Sequence, residues 1–442
     1  MKSTHSAALV LLQIVIALLQ GGVMAWLTQS NAWLQHHPEF AVALFSVLLL
    51  GPGSFYLLLP CPGRIRLWMC ALLLLALSLG AWRGSLIVHE AQLQAFGYFD
   101  PRLDYFYFTL LVLWQILLPA AQTLSNGQRL SCYAPLFHLA WHNILTLLEA
   151  LAFTVMFWAL LLIGSALFQI IGFPWPQTIV QHDAFSYPAL MAGFACAVLL
   201  SQHQPGFTAA VQQHVLEILK WLLPLTMLIS LCFVLLLPYS GVTHLLKSGY
   251  AAALMLWLLA WEILFINAAY ADGSAQPGYP RWLLALLRLA PLPLPVLSAL
   301  SVYALWLRIA QYGLSVNRVW GLFVAGWACA YALAYVVCIA SRQAWLGWLG
   351  RVNIVLAGLM ACGIILLLSP LLNPQQLVVS TQLARLYDGR TDARHFDYRY
   401  LTSLGQPGLN ALNRLAAAQD LPQADEVRRR ASQVLRQPDP PH

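Results

Sequence analysis

The chain has 442 residues, of which 60% are hydrophobic and only 9% are charged. Soluble domains carry about 25% charged residues, so this composition excludes an ordinary soluble protein and predicts an all-α transmembrane helix bundle. The net charge of +7 indicates anionic lipid and membrane orientation rather than nucleic acid, because no basic run carries interleaved aromatic residues. We therefore expect the lipid bilayer as a partner and no nucleic acid.

A helix needs about 20 mainly apolar residues to cross a bilayer. Eleven segments meet this requirement, at approximately 7–27, 41–59, 67–86, 105–124, 144–171, 186–200, 216–237, 250–269, 290–309, 319–340 and 352–372. The first resembles a signal peptide, but its apolar core is too long and no A-x-A cleavage site follows, so we interpret it as an uncleaved span. The segment 186–200 is short, and the sequence leaves open whether it crosses.

Lys and Arg are more frequent in the loops after spans two, four, eight and ten than in the opposite loops, and Lys2 agrees with them. Because cytoplasmic loops are enriched in these residues, the N-terminus is predicted to be cytoplasmic. Eleven crossings then place the C-terminal tail on the outer side. Without the segment 186–200, both termini would face the same compartment.

Gly80 and Gly84 have the spacing of a helix-contact motif, but Arg83 lies between them. We interpret this spacing as a chance match or an end cap. Nothing in the sequence resembles a phosphate loop, a nucleophile elbow, a dinucleotide fingerprint or a paired-aspartate site. No cofactor and no catalytic residue are predicted.

His138 and His142, in HLAWH, are four residues apart and share one face of a helix. This spacing can bind a metal, but the zincin pattern needs a Glu beside the first His, where this chain has Leu139. No third ligand is evident. The two histidines are weak metal candidates, and we expect no metal site.

Glu149 and Glu262 are acidic residues within predicted spans, in LTLLEALAF and LLAWEILF. A carboxyl group in such a position either takes part in solute or proton handling or pairs with a hydroxyl, His or Arg of a neighbouring helix. For Glu149, His138 or His142 is a local partner of this second kind. Both interpretations remain open at the level of sequence.

Residues 303–318, YALWLRIAQYGLSVNR, join the ninth apolar run to the tenth. Gly313 is suited to end a helix, because glycine adopts left-handed backbone conformations without steric cost, and Ser315 is suited to cap the next helix. Arg308 and Arg318 then lie on either side of a tight turn. They predict a site for an anion or a lipid headgroup; the alternative is that both simply snorkel to lipid headgroups.

From about residue 373 the sequence becomes polar and alternates in charge, which predicts a small helical tail domain, 373–442, beyond a bundle of residues 1–372. Helices are predicted at 375–387 and 396–404, from Pro407, where proline fits a first turn, and at 424–435. The tail carboxylate of Asp397 is a candidate partner for Arg318.

The string RIAQYGLSVNRVWGL at 308–322, which contains Tyr312 and Gly313, resembles a bacterial multi-pass membrane family known as domain of unknown function 4153. INAAYADG at 266–273 and the tail strings STQLARLYDGR and FDYRYL resemble the same family. The matching tail positions are Ser380, Gln382, Arg385, Leu386, Gly389, Asp397 and Tyr400. The resemblance covers roughly residues 250–405 and implies a multi-pass bacterial inner-membrane protein, for which the predicted orientation makes the tail periplasmic. It supplies no substrate.

Three functions are compatible with these patterns. The first is translocation, or assistance in transport, of a small or lipid-linked envelope solute, with Glu149 and Glu262 along the path and an anionic group at Arg308 and Arg318. The second is a cell-envelope scaffold or sensor whose tail recruits a periplasmic protein. The third, an enzyme that acts on a lipid-linked substrate, is the least favoured because no acid, base, nucleophile or metal constellation is recognisable.

Overall fold

The computed structural model describes residues 7–28, 36–58, 65–87, 101–241, 250–273, 278–340, 348–418 and 423–436. These residues form helices joined by turns, with no strand among them, which confirms the predicted all-α fold. Eleven of the described helices are long and apolar enough to cross a membrane. By length and composition, the chain is a multi-pass membrane protein.

The chain divides into two compact units, of which the first contains Met1–Ser85 and His89–Leu216, and the second contains Leu86–Val88 and Glu217–His442. The first unit contains α1 (Ala7–Thr28), α2 (Pro38–Leu58), α3 (Ile65–Ser85), α4 (Pro101–Ser125), α5 (Tyr133–Ile170), α6 (Trp175–Gln181), α7 (Asp183–His203) and the first residues of α8 (Pro205–Ser240).

The second unit contains the rest of α8 and the helices that follow it, which are α9 (Ala251–Tyr270), α10 (Arg281–Leu287), α11 (Leu294–Tyr312), α12 (Val316–Ala340), α13 (Leu349–Leu368), the 3-10 turn Pro370–Leu372, α14 (Pro374–Tyr387), α15 (Tyr398–Thr402), α16 (Gln406–Ala417) and α17 (Ala424–Arg436). We predicted a bundle at 1–372 inside the membrane and a tail at 373–442 outside it. The division into compact units does not test which residues lie in lipid, so this separation stays a prediction.

The sixth span and two unusually long helices extend beyond their predicted limits. The weak segment at 186–200 belongs to α7, a helix of 21 residues. Helices α5 and α8 contain 38 and 36 residues. At 1.5 Å per residue α5 is about 57 Å long, nearly twice the ~30 Å hydrocarbon thickness of a bilayer. Part of α5 therefore extends beyond a single crossing.

Gly80 and Gly84 lie where α3 packs against α2, which corrects our interpretation of their spacing as chance or an end cap. A Cβ atom on Gly80 would lie 2.7 Å from the Cα of Ala43, and one on Gly84 would lie 2.4 Å from the Cα of Glu39. Both distances are far shorter than van der Waals contact. Glycine is therefore needed for this close helix packing, and Arg83 does not prevent it.

The tail helices α14–α17 have a hydrophobic core that also includes Val319, in the first turn of α12. Their bounds lie close to those predicted. The buried core residues of the tail are Val378, Val379, Leu386, Ala393, Phe396, Tyr398, Leu401, Leu404, Ala411, Leu412, Leu415, Val427 and Ala431. The tail is thus packed onto the start of α12 rather than attached by a linker alone.

Candidate functional site

A cleft of about 400 Å³ lies between the turn that joins α11 to α12 and the tail, within the second unit. We call it the turn–tail cleft. Its polar lining residues are Gln311, Tyr312, Ser315, Arg318, Gln382, Arg385, Thr391, His395, Asp397 and Tyr400. Two arginine side chains, one from α12 and one from the tail, therefore line the same cleft as one carboxylate.

The turn is closed by Gly313, whose φ of 79° and ψ of −177° are accessible almost only to glycine. Its N–H donates to the Ile309 carbonyl at 2.8 Å, which ends α11. Nη1 of Arg318 donates to the Gly313 carbonyl at 2.5 Å. Arg318 thus folds back over the turn, and one of its five N–H groups is used to hold it.

The tail is hydrogen-bonded to this turn by Gln382 and Arg385. Nε2 of Gln382 donates to the Leu314 carbonyl at 2.8 Å. Arg385 donates to the carbonyls of Ala310 and Gln311, at 3.2 and 3.3 Å. The last carbonyls of a helix have no partner within it and carry partial negative charge, so Arg385 acts as the C-terminal cap of α11.

Tyr400 joins the tail to the start of α12, where its hydroxyl accepts a hydrogen bond from the Val316 N–H at 3.2 Å. Burial raises the pKa of the Tyr400 phenol, while this N–H and the charge of Arg318 oppose the rise. Asp397 accepts a hydrogen bond from the Tyr400 N–H at 2.9 Å and caps α15. Asp397 and Arg318 both line the cleft, but no ion pair joins these two described residues.

Tyr312 lies between two guanidinium groups at the edge of the cleft. The central carbon of Arg308 is 6.0 Å from the ring centroid of Tyr312, and that of Arg318 is 5.6 Å from it. The Tyr312 side chain is 61% exposed. An exposed aromatic ring flanked by two cations suits the polar boundary of a membrane, where anionic headgroups are available.

The structure thus brings five of the predicted site residues into one cleft: Tyr312, Arg318, Gln382, Arg385 and Asp397. Arg308 and Gly313 adjoin it. Ser380 is exposed, and its hydroxyl donates to the Leu377 carbonyl of its own helix at 2.9 Å, outside the cleft.

Glu149 belongs to α5, and its carboxyl group lies beside the junction of α7 and α8 in the first unit. Its Oε2 accepts hydrogen bonds from the hydroxyls of Ser201 and Thr208, at 3.0 and 3.1 Å. Ser201 is in the last turn of α7 and Thr208 is in the first turn of α8. Glu149 therefore has hydroxyl partners on two neighbouring helices.

Glu262 is fully buried in the middle of α9 in the second unit. Neither of its carboxyl oxygens has a geometrically defined hydrogen-bond partner among the described residues. Ser230 of α8, also fully buried, lies close to the carboxyl group, but its hydroxyl donates to the Met227 carbonyl at 3.1 Å. The two acidic residues thus occupy separate and chemically different environments.

Among the described residues, no group of three or more His, Cys, Asp or Glu side chains has an arrangement that could hold a metal ion. The ring of His138 lies 5.7 Å from that of Phe137, edge to face. His142 interacts electrostatically with Glu149, two helical turns further along α5.

Sequence reasoning missed a closed ring of three polar side chains that joins α9, α12 and α13. Nδ2 of Asn267 donates to the Tyr335 hydroxyl at 2.8 Å, which donates to Oδ1 of Asn353 at 3.2 Å. Nδ2 of Asn353 returns a bond to Oδ1 of Asn267 at 2.6 Å. The sequence indicated this ring only through the presence of asparagine within apolar spans, because a polar side chain in lipid requires a partner.

Comparison with known proteins identifies one family. The model of the family described as Domain of unknown function (DUF4153) matches residues 40–415, which is most of the chain and includes both the turn and most of the tail. No curated protein matches the chain, and no solved structure does.

Proposed function

The chain belongs to the DUF4153 family, and we propose that this protein binds the anionic group of a small or lipid-linked envelope solute in the turn–tail cleft and assists its transport. The observation that carries this proposal is the pairing of Arg318 and Arg385 in one cleft of about 400 Å³. Guanidinium groups are suited to phosphate, because their planar fork donates two parallel hydrogen bonds.

Both arginines retain donors for a ligand. Arg318 uses one N–H in its bond to Gly313 and Arg385 uses two in its bonds to α11, whereas each guanidinium has five. These bonds hold the side chains in fixed positions, so little rotamer entropy is lost when an anion binds. Asp397 in the same cleft limits the positive charge and favours a ligand that also carries hydroxyl or amine donors.

The proposed setting is a bacterial inner membrane with the N-terminus in the cytoplasm and the tail in the periplasm. The distribution of Lys and Arg among the loops supports this orientation. In that orientation the cleft opens at the outer boundary of the bilayer, where lipid-linked envelope precursors and phospholipid headgroups are both accessible.

A thermal-shift experiment on the detergent-solubilised protein tests the proposal with short-chain phosphatidate as the anionic probe and the matching phosphatidylcholine as the reference. Phosphatidate is expected to raise the unfolding midpoint of the wild type, because a ligand that binds only the folded state stabilises it. The rise should disappear in Arg318→Gln. Arg414→Gln, at an exposed arginine of α16, is the matched control and should keep it.

An equal rise in wild type, Arg318→Gln and Arg414→Gln would contradict a site at the cleft and indicate general headgroup binding. Absence of any rise in the wild type would contradict anion binding itself. Inorganic phosphate, tested in parallel, distinguishes recognition of a free phosphate group from recognition of a lipid-linked one.

A scaffold or sensor of the cell envelope is the second candidate, and one specific observation favours it. The tail has a second cleft of about 280 Å³, lined by Phe396, Asp397, Tyr398, Arg399, Arg430, Gln433 and Val434, beside the core that the tail helices share with the start of α12. Such a surface suits a periplasmic protein partner. Cross-linking from Gln433 should then recover one specific protein, and a variant without residues 374–442 should reproduce the phenotype of a deletion strain. Full function of that shortened variant excludes this candidate.

A further inference from the structure

Glu149, Ser201 and Thr208 form a closed triangle of oxygen atoms, which we call the oxygen triangle. Besides their contacts with Oε2 of Glu149 at 3.0 and 3.1 Å, the two hydroxyl oxygens lie 2.8 Å from each other. A fourth oxygen, from Thr146, lies 3.4 Å from that of Ser201. All of these groups are in the first unit and come from α5, α7 and α8.

The triangle contains fewer protons than contacts. Oxygen atoms at these separations need a proton or a cation between them. An ionised carboxylate only accepts hydrogen bonds, and each hydroxyl donates one, so two protons must serve three contacts. The proton that Thr146 can donate to Ser201 lies outside the triangle and leaves this shortage unchanged. One additional positive charge satisfies all three oxygens.

The side chains that form the triangle are largely shielded from solvent. Ser201 is 7% exposed, and Thr146 and Thr208 are fully buried. Oε1, the second carboxyl oxygen of Glu149, is also buried and has no hydrogen-bond partner among the described residues. It is therefore available as a further ligand for a cation held at Oε2.

From this geometry we propose that the oxygen triangle binds one Na⁺ ion, a property that goes beyond the cleft function proposed above. Carboxylate and hydroxyl oxygens are hard ligands suited to such ions. A single carboxylate balances one positive charge, whereas divalent cations usually recruit more acidic ligands.

The helix ends on either side favour a carboxylate–cation pair. The last turn of α7, which contains Ser201, presents the negative end of its dipole and favours a cation. The first turn of α8, which contains Thr208, presents the positive end of its dipole and favours an ionised carboxylate. The end of α7 therefore stabilises the cation, and the start of α8 stabilises the ionised carboxylate.

Four histidines belong to the helices that form the triangle, and their charge must stay constant in a test of cation binding. His138 and His142 precede Glu149 on α5, and His142 interacts with the charge of Glu149. On α7, Nδ1 of His203 contacts the Leu199 carbonyl at 2.7 Å, and the first titratable residue after Thr208 on α8 is His214. Measurement at about pH 8 keeps ordinary histidines neutral.

The test measures the unfolding midpoint of the purified full-length protein at that pH in NaCl, KCl and choline chloride of equal ionic strength. If Na⁺ binds, the wild type gains several degrees in NaCl over choline. This gain disappears in Glu149→Gln and shrinks in Thr208→Val, which removes one ligand and keeps the side-chain shape. Thr154→Val is the matched control, because the buried Thr154 hydroxyl lies outside the triangle and donates to the Ala150 carbonyl at 2.7 Å. It should keep the full gain.

Equal unfolding midpoints of the wild type in NaCl and in choline chloride overturn the proposal. It is also overturned if Glu149→Gln keeps the full gain of the wild type in NaCl. Should Glu149→Gln fail to fold, Thr208→Val decides alone: a gain in NaCl identical to that of the wild type and Thr154→Val also overturns the proposal.

Discussion

At the scale of single residues, Gly313 is the position that the turn depends on most directly. A Cβ atom there would lie 2.7 Å from Nε2 of Gln382, in addition to the strain of its positive φ. Backbone strain of this kind costs about 1–3 kcal/mol in a residue with a side chain. Gly313→Ala is expected to lower the unfolding midpoint and to make the tail more accessible to protease.

Gly326→Ala is the control for this prediction. A Cβ at Gly326, inside α12, would meet nothing within 4 Å, so alanine should be neutral or slightly stabilising there. Equal midpoints and equal tail proteolysis for the Gly313 and Gly326 variants would show that the turn tolerates a side chain and that Gln382 moves aside.

Tyr398 predicts a pH dependence of tail stability. Burial raises the pKa of its phenol to about 12 against the attraction of Arg430, while Glu426 and Asp392 raise it further. The folded pKa is thus above the unfolded value of 10.0, so this group costs the folded state no stability below about pH 10, and its ionisation lowers the stability as the pH rises toward 12. The full loss is roughly 2–3 kcal/mol.

Tyr398→Phe should therefore be less sensitive to alkali than the wild type. Near neutral pH the substitution is expected to be neutral or slightly stabilising, because the buried Tyr398 hydroxyl has no hydrogen-bond partner among the described residues. Urea unfolding of tail helicity at pH 8 and pH 11 measures both effects, with Tyr387→Phe, at an exposed tyrosine of α14, as the control. A wild type and a Tyr398→Phe variant that weaken equally at high pH would contradict the prediction.

The residues of the cleft could be predicted in part. Gly313, Arg308 and Arg318 were identified from local turn chemistry, and Gln382 and Arg385 from a family resemblance. The bonds between them could not be derived, because Arg385 reaches carbonyls 74 and 75 residues away. Single-sequence patterns report spacing along one helix, whereas these contacts depend on how the tail docks. The roles of Thr391 and His395 in the lining were missed for the same reason.

At the scale of helices, the ring of Asn267, Tyr335 and Asn353 predicts a stability effect. Asn353→Ala removes two of its three hydrogen bonds and leaves an oxygen of Asn267 without this donor. Polar bonds between membrane helices are worth about 0.6–2 kcal/mol each, so the unfolding midpoint should fall clearly. Ser301→Ala is the control, because the Ser301 hydroxyl donates to the Leu297 carbonyl within its own helix. Equal midpoints for the two variants would show that the ring contributes no stability.

Helix ends were predictable where a local residue determines them. α11 stops at Tyr312 before Gly313, and α14 starts at Pro374, where the Asn373 side chain accepts a hydrogen bond from the Gln375 N–H at 3.0 Å. The start of α5 at Tyr133, rather than at the predicted 144, was not predictable in this way.

The cause of that difference is a contact between helices. Asn143 exchanges hydrogen bonds with Gln122 of α4 at 2.8 and 3.3 Å, so polar residues that lower the hydropathy of the segment are satisfied within the fold. Hydropathy measures transfer of isolated side chains to lipid and cannot anticipate such a partner.

At the scale of the whole molecule, the number of crossings fixes the compartment of every loop. The described chain contains eleven helices able to cross, and an odd number places the two termini on opposite sides. Alkaline phosphatase is active only outside the cytoplasm and green fluorescent protein is fluorescent mainly inside it. Fusions after residues 172, 204 and 442 are expected to report outside, inside and outside, respectively.

The first two fusions lie on either side of α7 and test whether this helix crosses the membrane. Its mean hydropathy of 1.6 is lower than the 2.3 of the neighbouring spans in α5 and α8. If fusions at 172 and 204 report the same side, α7 does not cross, and the tail moves to the cytoplasm. The turn–tail cleft would then face cytoplasmic ligands, and a periplasmic lipid-linked solute could not reach Arg318. If the three fusions instead alternate as expected, the sidedness on which the proposed function depends is established independently of any ligand.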